Sequence, residues 1–71
     1  MLREKVLVLG SGTFQIGLID YLKSEGYEVH GAGNRPLDAG IGKVNYYHCI
    51  DFKDKPGILD LFLRLGAIQI F

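Results

Sequence analysis

The chain has 71 residues, enough for one domain at most, and a chain of that size buries only about 60% of its unfolded surface. Eight basic residues balance eight acidic ones, which removes the electrostatic case for nucleic acid. The single cysteine, Cys49, excludes an internal disulfide and fits a reducing cytoplasm, and the first apolar run is too short for a signal-peptide core or a membrane span.

In chain order, Lys5 to Leu9 reads as a fully buried strand, apolar without alternation. It runs into Gly10-Ser11-Gly12-Thr13, and a helix is predicted from near Thr13. Ser11 or Thr13 can offer a hydroxyl to an orphan amide there. Phe14, Leu18, Tyr21 and Leu22 are expected to face the sheet with Ile19 beside them, and Gly26 to close the helix. Tyr27 to His30 is predicted as the second strand, which makes a right-handed βαβ unit. Gly31 to Gly42 reads as a loop, and Val44 to Ile50 as a third strand whose Tyr46, Tyr47 and His48 suit a sheet edge. Asp54 suits an N-cap, Pro56 a first helical turn, and the second helix is predicted over Pro56 to Leu65, with Gly66 as its cap. Ala67 to Phe71 opens a fourth strand.

These elements predict an α/β, Rossmann-like parallel sheet of about four strands in the order 3-2-1-4, with helices on both faces. In such a sheet the ligand crevice lies at the carboxyl ends of the strands where the winding reverses, here between the first and fourth. The turn at Gly10 to Thr13 forms one wall of it, and backbone amides at a helix start suit an anion. The second helix has two apolar stripes, Ile58, Leu61, Phe62 and Leu65, then Leu59 and Leu63. Only one stripe can face this sheet. With an apolar strand at the chain end, that leads us to expect either the opening segment of a larger, truncated fold or a homo-oligomer.

The order of landmarks resembles the N-terminal, substrate-side domain of ATP-grasp ligases, the family of biotin carboxylase and carbamoyl phosphate synthetase. The matching stretches are Val6 to Gly12, Gly26-Tyr27-Glu28-Val29, Asn34-Arg35-Pro36 with Gly40, Tyr46 to Asp51, Asp54-Lys55 and Ile68. They span nearly the whole chain, and the Gly-Ser-Gly turn followed by Ile16-Gly17 is most similar to carbamoyl-phosphate-synthetase-like members. The resemblance implies that Gly10, Ser11, Gly12 and Thr13, with Asn34 nearby, bind a small anionic substrate. It also implies that ATP and magnesium sit on later domains, so this chain holds no cofactor and is not catalytic in isolation. Pro56 and Gly57 stand where relatives often have Glu and Ala, which implies a looser start to the second helix.

Two other readings compete. A small NADP-binding module would use Arg35 on the 2′-phosphate, but the dinucleotide fingerprint needs a glycine where Gln15 stands and an acid at the end of strand two, where His30-Gly31-Ala32-Gly33 stands. A non-enzymatic, self-associating module would use Leu59, Leu63 and the strand Ile68 to Phe71. The remaining reactive side chains have simpler readings. His30 and His48 lack further ligands at metal spacing and read as edge or loop-facing residues. Asp51, Asp54 and Asp60 read as capping or solvated, and Cys49 as a buried, inert thiol. Of Tyr46 and Tyr47, one is expected to pack and the other to face out.

Overall fold

The computed structural model describes residues 3–10, 15–34, 42–51 and 53–71. Those residues form β1 (Lys5–Leu9), α1 (Ile16–Ser24), β2 (Glu28–Gly33), β3 (Tyr46–Cys49), α2 (Lys55–Leu65) and β4 (Gln69–Ile70). The strands make one parallel sheet in the order β3-β2-β1-β4. This is the predicted α/β order.

The sheet is covered on both faces, which accounts for the unbroken apolar character of β1. Val6, Val8 and Val29 point to one face and pack with Ile19 and Leu22 of α1 and with Val44. Leu7 and Ala32 point to the other and pack with Ile58 and Leu61 of α2, flanked by Leu9, Ile50, Phe62, Leu65 and Ile70. Because α1 and α2 lie on opposite faces, the winding reverses between β1 and β4.

Both helices end as their sequences predict. After α1, the Gly26 amide donates to the Lys23 carbonyl and the Tyr27 amide to the Leu22 carbonyl, with Gly26 at φ +90°. After α2, Gly66 at φ +70° and Ala67 repeat the pattern onto Leu63 and Phe62. Asp54 caps the start of α2, its Oδ1 accepting from the Gly57 amide at 3.1 Å. A Cβ on Gly57 would run into that carboxylate and come within 2.9 Å of Ile50 Cδ1. Glycine therefore tightens this helix start by admitting the cap, which corrects the looser start implied by the family resemblance.

Several other expectations are corrected. β2 continues through Gly31 to Gly33, which reads as loop in the sequence. These glycines are in the strand because a side chain there would collide with its neighbours. A Cβ on Gly31 would lie 3.1 Å from Val44 Cγ1, and one on Gly33 2.8 Å from Tyr47 Oη. On α1, Ile19 is at the core while Tyr21 is 60% exposed, its hydroxyl donating to Glu25 on the solvent side at 3.2 Å. His30 is buried inside the sheet, and Cys49 is exposed at the end of the edge strand β3. Of the tyrosine pair, Tyr47 packs on the α1-side cluster and Tyr46 is exposed.

Candidate functional site

The carboxyl ends of the strands bring Leu9-Gly10, Gly33-Asn34 and Ile70-Phe71 to one rim of the sheet. Gly10 turns the chain out of β1 at φ +80°, a conformation that favours glycine. Its amide donates to the Ala32 carbonyl at 2.6 Å. A Cβ on Gly33 would be 3.8 Å from Gly10 Cα, so the rims of β1 and β2 lie close together. On the other side of β1 the Leu9 amide donates to Phe71 O at 2.9 Å, and the Phe71 amide to Leu7 O at 2.8 Å. The reversal point therefore lies beside Gly10.

Gln15 stands immediately before α1. Its side chain makes no capping bond to the helix and instead donates from Nε2 to the Leu9 carbonyl at 3.1 Å. The residue that breaks the dinucleotide fingerprint thus ties the helix start to the strand end. Of the expected anion-binding residues, Gly10 is at the rim and Asn34 is exposed at the end of β2. Ser11, Gly12 and Thr13 lie outside the described residues, as does Arg35, on which the NADP reading depends.

A second polar constellation lies on the α2 face. His30 Nε2 is 2.6 Å from Glu28 Oε2, and His30 Nδ1 is 2.9 Å from His48 Nε2. The His30 ring stacks on Tyr46 at 5.0 Å and on His48 at 5.2 Å between centroids. Burial holds the His48 imidazole below its ordinary pKa of 6.5, reinforced by His30 and then by Arg64. The sequence signal for this chain was the Glu28-x-His30 spacing, which puts both side chains on one face of a strand. His48 joins only through the β2–β3 register, where it stands opposite Ala32 and Tyr46 stands opposite His30.

Among the described residues no group of three or more His, Cys, Asp or Glu side chains converges as a metal site. Among them, too, no helix is long and apolar enough to cross a membrane. Asp51 accepts from the Lys53 amide and Asp60 pairs with Arg64 one turn on, so both carboxylates have the local roles expected of them.

Fold and rim together define a doubly wound parallel α/β layer with a glycine turn at its reversal point. Compared with known proteins, the chain matches no family model and no curated protein.

Proposed function

We propose that this chain is the substrate-side, N-terminal domain of an ATP-grasp ligase of the carbamoyl phosphate synthetase and biotin carboxylase kind. It positions a small carboxylate or phosphate substrate at the Gly10 to Thr13 turn, with Asn34 at the neighbouring strand end. In such a ligase ATP converts the carboxylate to an acyl phosphate, releasing ADP, and an amine or thiol then displaces the phosphate. ATP and magnesium belong to later domains, and the chain by itself turns over no ATP.

The observation that carries this reading is the reversal of winding between β1 and β4, directly beside a positive-φ glycine that leads into a helix. Ligands of doubly wound sheets bind at that place. The Gln15 bond to Leu9 supports a substrate cradle over a dinucleotide clasp, because it occupies the position where a pyrophosphate-binding turn needs glycine.

Parallel calorimetric titrations with inorganic phosphate and NADPH, beside an assay for ADP release, test the proposal. It requires saturable phosphate binding, no saturable NADPH binding at micromolar concentration and no ATP turnover. Tight NADPH binding, or ADP release by this chain, would overturn it.

The exposed Leu59, Leu63, Ile68 and Phe71 favour a second, compatible property. The isolated chain associates with another copy of itself through these residues and the β4 edge.

A further inference from the structure

We propose that Glu28, His30 and His48 form a proton-limited latch that fastens the edge strand β3 to β2 and releases it in acid. The latch is independent of the ligase reading. It rests on the count of protons that three side chains in a row can hold.

A carboxylate only accepts, so His30 Nε2–H donates to Glu28 at 2.6 Å. That leaves His30 Nδ1 as an acceptor, and His48 Nε2–H donates to it at 2.9 Å. Each of the four facing atoms in this row is then used once. One added proton can enter at His48 Nδ1 without disturbing this order. With a proton on every ring nitrogen, two N–H groups would face each other across the same 2.9 Å. Two separated imidazoles each take a proton freely. Acid therefore favours the separated state.

The surroundings sharpen the effect. His30 is 4% exposed, so the row of hydrogen bonds is shielded from water. From β1, Lys5 stands opposite Glu28 in the register. From β3, Tyr46 stacks on the His30 ring. From α2, Arg64, itself held by Asp60, adds positive charge near His48. Burial, His30 and Arg64 all oppose protonation of His48. A folded-state pKa below the free value means that the opened strand binds more protons than the closed one. The stabilisation is present above pH 6.5 and is lost as pH falls through the lowered value. β3 is free to respond because it is an edge strand, paired with β2 alone among the described residues. His48 also borders a cleft of about 530 Å³, with Ile50, Leu61 and Arg64, that leaves room for the ring to turn.

Amide hydrogen exchange on the 71-residue chain, corrected for intrinsic rates, reads the latch directly. The Asn45 and Ile50 amides, bonded to Val29 O and Gly33 O at the two ends of β3, report its opening. The Gly10 amide, bonded to Ala32 O, reports β1–β2. The latch requires Asn45 and Ile50 protection to fall as pH drops below 6.5, by up to about tenfold per pH unit for one proton taken up, while Gly10 protection holds. In His48→Gln the amide can turn either its NH2 or its carbonyl toward His30, so protection should not change across that range. Flat protection in the native chain, no protection of β3 at neutral pH, or an equal acid loss in His48→Gln would each overturn the latch. Should His48→Gln not fold, the native profile decides alone.

Discussion

Gly33 and Tyr47 meet diagonally across the β2–β3 pair, where a Cβ on Gly33 would lie 2.8 Å from the Tyr47 hydroxyl. Val44 crowds Gly31 in the same way at 3.1 Å. The glycines of β2 therefore act as recesses for the side chains that follow the long connection. Gly33→Ala is expected to destabilise the fold by about 1–3 kcal/mol, the usual cost of overpacking. In a Tyr47→Phe background the obstructing oxygen is gone, and that cost should shrink by about 1 kcal/mol. Urea denaturation of the four proteins in the cycle checks it, and strict additivity would contradict it.

The capping carboxylate and the glycine three residues later are coupled in the same sense. Asp54→Ala should cost about 1 kcal/mol by removing the N-cap. Gly57→Ala would ordinarily gain close to 1 kcal/mol in helix propensity. Here that gain should be absent while Asp54 is present and partly recovered once Asp54 is Ala. Thermal melts of the two single variants and the double variant read this out.

Leu7 is fully buried in the central strand. Leu7→Ala should cost about 2–5 kcal/mol, against a total stability of roughly 4–10 kcal/mol for a domain of this length. Loss of cooperative unfolding in a urea titration is the expected result.

Much of this architecture is legible from local chemistry. The apolar run of β1, the caps at Gly26, Asp54 and Gly66, and the two stripes of α2 each declare themselves within a few residues. What escapes sequence reading depends on partners far along the chain. Gly31 and Gly33 read as loop because glycine has poor strand propensity, and only Val44 and Tyr47 explain why nothing larger fits. His30 reads as an edge residue because its hydrogen-bond partner in β3, His48, is eighteen positions away. Cys49 reads as buried beside Ile50, but on an edge strand adjacent residues face different surroundings. At the end of β1, the tight turn at Gly10 is legible in the sequence, while the role of Gln15 as a tie to Leu9 follows only from the geometry.

Removing the acceptor at the head of the histidine chain should be costly. Glu28→Leu leaves the buried His30 Nε2–H without its partner, at a cost of about 1–3 kcal/mol. Chemical denaturation at pH 8 measures this apart from any acid effect.

The exposed apolar side chains give a fifth expectation. Leu63 is 67% exposed and Leu59 55% exposed, so neither contributes much to the fold of a single chain. Leu59→Lys with Leu63→Lys should change the unfolding midpoint little while shifting the chain from dimer to monomer. Size-exclusion chromatography with light scattering resolves the two states. A native chain that stays monomeric at high concentration would contradict self-association.

Residue-resolved NMR titration of the chain with inorganic phosphate reads the proposed substrate cradle itself. Saturable amide shifts are expected at Gly10, at Ser11 to Thr13 and at the first turn of α1 from Ile16, with a smaller response at Asn34. Shifts that do not saturate, or that gather away from the β1–α1 turn, would contradict a substrate cradle at the reversal point of the sheet.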